Sequence, residues 1–127
     1  VYGEGSKDII SRWVRSALKQ ETLSLYGENN CFDYIYAGDV AQALVRLAQT
    51  KHNGAVNVGT GKATPVGDVV NHLKTLFKDV KVKRIKDTGD CEKSSADLRL
   101  LKKITGWSPA TGIQQGIEKI VRHEQEN

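Results

Sequence analysis

The 127 residues, 39% hydrophobic and 27% charged, suffice for one soluble domain with a buried core and fall short of the usual two-domain enzyme. A formal charge of +4 favours anionic partners, but the chain lacks the contiguous basic stretch interleaved with aromatics that marks a nucleic-acid surface. It also lacks an apolar run of membrane-spanning length. Neither nucleic acid nor membrane is therefore expected as a partner. Cys31 and Cys91 form no CxxC pair and read as free thiols of a cytoplasmic protein. The chain has no methionine and opens on Val1-Tyr2-Gly3-Glu4-Gly5, so a fragment of a longer protein is expected.

Ser6 is expected to cap a first helix in which Ile9, Ile10, Trp13, Val14, Ala17 and Leu18 recur at helical spacing. Leu23 to Tyr26 reads as a strand ended by the turn-forming Gly27-Glu28-Asn29-Asn30. In the stretch from Phe32 to Leu44, Tyr34, Ile35 and Tyr36 are strand formers, Gly38 supplies a turn, and Asp39 is placed to cap the next helix. That helix carries Val40, Ala41, Ala43, Leu44, Val45, Leu47 and Ala48, leaving Gln42, Arg46 and Gln49 as a narrow polar stripe. Packing from several directions is expected of it.

Ala55 to Val58 reads as a strand running into Gly59-Thr60-Gly61. Such a glycine pair can cradle phosphate, but it lacks the spacing of a dinucleotide fingerprint or a P-loop, which favours a plain turn. Thr64 is expected to cap a helix with Pro65 at its first position and Val66, Val69, Val70, Leu73, Leu76 and Phe77 on one face. Val80 to Lys86 alternates as a strand, which points Arg84 the same way as Val80 and Val82. An arginine there either reads a phosphate or carboxylate through its planar fork or pairs with a carboxylate such as Asp87 or Asp90. Lys81 and Lys83 read as a solvated face. Asp97 should cap a short helix through Leu98, Leu101 and Ile104 that stops at Gly106, with Trp107 packing back. Thr111 and Gln114 suggest a capping box for a last helix carrying Ile113, Ile117, Ile120 and Val121. The polar tail from His123 to Asn127 is expected to fray.

No catalytic constellation emerges from these residues. His52, His72 and His123 are scattered without metal-ligand spacing, nothing ties Cys31 to a histidine as a nucleophile, and no Gly-x-Ser-x-Gly elbow is present.

Four motifs, in order, nonetheless resemble one family. Val1-Tyr2-Gly3-Glu4-Gly5 is similar to V-Y-G-P-G. Leu25-Tyr26-Gly27 followed by Asp33-Tyr34-Ile35-Tyr36-Ala37-Gly38-Asp39-Val40-Ala41 resembles G-D-G-x-x-x-R-D-F-I-Y-V-D-D-V-A. Val56-Asn57-Val58-Gly59-Thr60-Gly61 resembles Y-N-V-G-T-G, and Ala96-Asp97-Leu98 through Gly106-Trp107-Ser108-Pro109 resembles A-D-x-S-K ending in L-G-W-x-P. These are motifs of the extended short-chain dehydrogenases/reductases of the NAD-dependent epimerase/dehydratase family, and the resemblance covers almost the whole chain.

The resemblance implies an α/β fold: residues 1–127 as one domain, the C-terminal substrate lobe of an incomplete Rossmann-like protein with short strands and about five helices. It implies that the glycine-rich NAD or NADP fingerprint, the catalytic serine or threonine and the Y-x-x-x-K pair belong to an N-terminal Rossmann portion preceding Val1. No catalytic residue and no bound cofactor are then expected of this chain alone. Its expected partners are a small-molecule substrate, the missing Rossmann portion and, through an uncovered strand edge and helix, further copies of itself. The expected substrate-binding residues are Phe32, Asn57, Arg84 and Lys86.

Two departures from the family bear on the substrate. Phe32 stands where many members have an arginine that grips a sugar-nucleotide diphosphate, and Asp87-Thr88-Gly89-Asp90 replaces R-P-G-D. The second cation is then either supplied by Arg84 or Lys86 from a shifted register or absent. The implied function is substrate binding for an epimerase, dehydratase or reductase acting on a sugar nucleotide or on a less charged hydroxy or keto compound. The alternative is a non-catalytic binding or regulatory module that retains the fold.

Overall fold

The computed structural model describes residues 1–87 and 89–127; Thr88, in the stretch that replaces R-P-G-D, lies outside the described residues. Helix α1 (Ile9–Leu18) forms as the periodicity predicts, but Asp8 rather than Ser6 caps it, accepting from the Ser11 amide at 3.0 Å. The Ser6 hydroxyl instead accepts from the Asp8 amide at 3.2 Å, ahead of the helix, and Asp8 takes the cap position. Strand β1 (Leu23–Tyr26) falls where expected and pairs in parallel with a later strand.

After the turn, β2 (Cys31–Phe32) is only two residues long, and the strand formers Tyr34 to Tyr36 contribute a single parallel bridge between Tyr36 and Tyr2. Helix α2 (Ala37–Ala48) begins two residues before Asp39. Asp39 is therefore no cap: it sits inside the first turn, 2% exposed, and its carboxylate accepts from the Thr111 amide at 2.9 Å and the Thr111 hydroxyl at 3.2 Å. That contact also occupies Thr111, so the expected capping box does not form and Gly112 takes the N-cap position of the last helix.

The Ala55–Val58 segment is not a strand, and among the described residues no backbone–backbone hydrogen bond involves it. Thr64–Pro65 forms β3, antiparallel to β2, and α3 (Val66–Leu76) follows. The Val66 and Gly67 amides donate to the Asn30 and Glu28 carbonyls, at 2.8 and 2.9 Å. Backbone from the turn after β1 thus replaces the expected Thr64 cap. Strand β4 (Val82–Ile85) lies beside β1 with Leu23 opposite Val82 and Leu25 opposite Arg84. Helix α4 (Arg99–Thr105) stops at Gly106 as expected, in the left-handed conformation at φ 67°, but its N-cap is Leu98 rather than Asp97, which lies one residue outside and accepts from the Arg99 amide at 3.0 Å. Helix α5 (Ile113–Glu126) runs through the tail expected to fray.

Helices α1, α3 and α5 pack with the β1–β4 pair around one core that includes Tyr2, Ile10, Trp13, Leu25, Leu73 and Ile117. A smaller cluster of Ile35, Ala43, Leu101 and Trp107 joins α2 to α4. Only one side of α2 is covered, for Leu44 and Val45 are 58% and 60% exposed. Packing from several directions is therefore not met by the residues described.

Candidate functional site

Because β4 runs parallel to β1, both strands deliver their carboxyl ends to the same edge of the core, where clefts in α/β proteins tend to form. Gly27, with φ +62°, starts the turn that carries the chain away, and the Asn30 amide closes it on the Gly27 carbonyl at 2.9 Å. The resulting cleft has two compartments that share Asn30. A polar one of about 330 Å³ is lined by Gly27, Glu28, Asn29, Arg84, Ile85, Lys86, Asp87, Gly89 and Cys91. An aromatic one of about 300 Å³ is lined by Ile9, Trp13, Ser24, Tyr26, Phe32, Tyr34 and Val66. Between them the Tyr26 hydroxyl donates to the Asp87 carboxylate at 3.1 Å, a bond that also raises the Tyr26 pKa.

Three of the four expected site residues line these adjoining compartments, Phe32 the aromatic one and Arg84 and Lys86 the polar one. Asn57 does not; it opens onto a separate depression with Ala55, Asp97, Arg99 and Leu100. There Arg99 hydrogen-bonds the Asp97 carboxylate and draws its pKa down to about 2. Arg84 pairs with a carboxylate, as one of its two readings held. The partner is Glu28, from the turn after β1, rather than Asp87 or Asp90. Sequence spacing could not identify that partner, because parallel pairing brings it from 56 residues away. The polar compartment is thus lined by two cations, Arg84 and Lys86, and two carboxylates, Glu28 and Asp87, of which Arg84 and Glu28 form an ion pair.

Phe32 is half-buried and meets Tyr34 edge-on, with ring centroids 6.2 Å apart and planes at 81°. Trp13, only 5% exposed, donates its indole N–H to the Ser24 carbonyl at 3.3 Å. Tyr34 is raised in pKa by burial, and its hydroxyl makes no hydrogen bond among the described residues. Sequence reasoning assigned Trp13 to the core and Tyr34 to a strand. Their helical and strand periods revealed burial but not the shared cavity.

The Gly59-Thr60-Gly61 turn does hold an anion, and it is the chain's own. The Thr60 and Gly61 amides donate to the Asp33 carboxylate at 2.8 and 2.9 Å, joined by the Thr60 hydroxyl and by the Ala96 amide at 3.0 Å. A Cβ at Gly59 would come within 2.7 Å of an Asp33 oxygen and 2.6 Å of Ala96 Cβ, so glycine is required for the approach. With its amides committed, this turn does not fit a dinucleotide pyrophosphate. Among the described residues no cluster of His, Cys, Asp and Glu could hold a metal ion, and no helix is long and apolar enough to cross a membrane.

The sequence model of the NAD dependent epimerase/dehydratase family matches residues 1–59. A putative UDP-glucose 4-epimerase of Methanocaldococcus jannaschii is 29% identical, over all of this chain and 44% of its own length. UDP-glucuronic acid decarboxylase 4 of Arabidopsis thaliana is 26% identical over 90% of the chain and 26% of its own. Among solved structures, an NAD-dependent NDP-hexosamine 5,6-dehydratase of tunicamycin biosynthesis superposes with a TM-score of 0.89 at 27% identity, covering 99% of this chain and 43% of that one. UDP-glucose 4-epimerase of Thermotoga maritima, solved with UDP-glucose, gives 0.84 at 25% identity over 98% and 43%. The chain thus spans less than half the length of these relatives.

Proposed function

We propose that this chain, matched over residues 1–59 by the NAD dependent epimerase/dehydratase family model and similar along its length to such enzymes, is the substrate-binding part of a longer NAD(P)-dependent epimerase, dehydratase or reductase. The observation that supports this reading is the cleft at the shared carboxyl ends of β1 and β4, with Phe32 lining one compartment and Arg84 and Lys86 the adjoining one. In it, Phe32 walls the substrate's ring and Arg84 and Lys86 face its polar end. Asn57 comes into play only for the portion of a substrate that projects beyond the cleft.

The nicotinamide cofactor, which accepts and returns hydride when bound, belongs in this reading to an N-terminal Rossmann portion; the committed amides of the glycine turn leave it no pyrophosphate cradle here. That portion would also cover the outer side of α2 at Leu44 and Val45 and pair with the Ala55–Val58 backbone. The substrate is a sugar nucleotide or a less charged hydroxy or keto compound. A second reading, a binding module that kept the fold without the reaction, draws support from Phe32 and from the neutralisation of Arg84 by Glu28.

Turnover assays separate the substrate-part reading from a self-sufficient enzyme. The 127-residue chain, supplied with NAD(H) or NADP(H) and either class of substrate, is expected to give no product by chromatography and no change in nicotinamide absorbance. Measurable turnover would overturn the proposal.

A further inference from the structure

We propose that the aromatic compartment beside Phe32 takes an uncharged, ring-bearing carbonyl or hydroxyl compound rather than a nucleoside diphosphate, an inference that rests on the reading of this cleft as the substrate site. None of the residues lining that compartment is ionised. Its volume of about 300 Å³ lies at the small end of ligand sites, which are mostly apolar with a few placed polar groups. Phe32 and Tyr34 present a perpendicular pair of rings, and Trp13 and Val66 close the apolar wall. A flat ring entering there exchanges water for aromatic contact.

The polar atoms narrow the class further. The Trp13 indole N–H is spent on the Ser24 carbonyl, and the Tyr26 hydroxyl on Asp87. The Tyr34 hydroxyl has no hydrogen bond among the described residues, which leaves it to donate to a carbonyl oxygen or pair with a hydroxyl. A diphosphate meets the opposite situation. Its charges would lose water beside an apolar wall, while in the adjoining compartment Arg84 is already held by Glu28 and Asp87 adds a second carboxylate. Desolvating an anion against an apolar wall and beside carboxylates is unfavourable.

The test is a titration of the ¹⁵N-labelled chain with 2-tetralone, uridine and uridine 5′-diphosphate. The expected result is saturable movement of the Trp13 indole and the Phe32 and Tyr34 amide signals with 2-tetralone, unchanged on raising salt, and no gain in affinity from uridine to its diphosphate. Tyr34→Phe should weaken 2-tetralone about fivefold while leaving thermal unfolding unchanged, because the lost hydroxyl has no partner. Phe32→Arg, if it folds, should weaken 2-tetralone and create salt-sensitive binding of the diphosphate. If the native chain binds the diphosphate more tightly than uridine and 2-tetralone, the cleft stands as the substrate site and the proposed class is overturned. If none of the three moves cleft signals, both are overturned.

Discussion

Replacing Asp33 by asparagine changes almost no volume and removes a charge that four donors surround. One carboxylate oxygen serves the Thr60 amide and hydroxyl, and the other serves the Gly61 and Ala96 amides. A carboxamide has only one acceptor oxygen. If that oxygen faces Gly61 and Ala96, the NH₂ group can donate to the Thr60 hydroxyl but confronts the Thr60 amide, donor against donor. The variant thus loses one charge-assisted bond and weakens two others. Asp33 is only partly buried, so water offsets some of this, and the net cost should be about 2 kcal/mol. For a domain of this size that lowers the melting temperature by about 6–10 °C.

The pH dependence supplies an independent check. Burial pushes the Asp33 carboxyl up, but the hydrogen bonds from Thr60, Ala96 and Gly61 outweigh it and hold the pKa below the ordinary 3.8. A carboxyl lowered on folding contributes stability that is fully present above its unfolded pKa and is lost as pH falls through its folded value. Urea unfolding of native chain and Asp33→Asn should therefore differ by a constant amount near neutrality, and the gap should close as pH drops below 3.8. A gap under about 0.5 kcal/mol at neutral pH, or one unchanged in acid, would refute the assignment of Asp33 as the anion that pins the glycine turn.

Two further outcomes concern packing. A Cβ at Gly116 would lie 2.1 Å from the Tyr2 hydroxyl oxygen and 2.6 Å from Tyr2 Cε2, with the ring 2% exposed; Gly116→Ala should cost about 2–3 kcal/mol in urea unfolding. Tyr2→Phe should instead stabilise by about 1 kcal/mol, because that buried hydroxyl has no hydrogen-bond partner among the described residues. Leu44 and Val45, exposed on α2, should drive concentration-dependent self-association in sedimentation equilibrium. Leu44→Lys should weaken that association, whereas a clean monomer of the native chain at high concentration would contradict it.

Elements whose burial follows a simple period were legible in the sequence. The α1 and α3 faces, the β1 limits and the Gly106 stop all follow from local rules. The caps were less so, because tertiary contacts compete for the same side chains. Thr111 is taken by Asp39, and the α3 amides are satisfied by Glu28 and Asn30 carbonyls rather than by Thr64. Ala55–Val58 carries strand residues, but a strand also needs a partner, and none is paired with it among the described residues. At the site, resemblance singled out Phe32, Arg84 and Lys86. The Glu28 partner of Arg84 and the inclusion of Trp13 in the cavity depend on parallel β1–β4 pairing and α1 packing, which no local pattern encodes.

The most direct measurement is of where a small molecule sits. Intermolecular nuclear Overhauser effects from bound 2-tetralone should reach the ring protons of Phe32, Tyr34 and Trp13, which line the aromatic compartment. Effects confined instead to Ala55 and Leu100, in the depression that holds Asn57, would contradict the placement of the substrate site at the ends of β1 and β4.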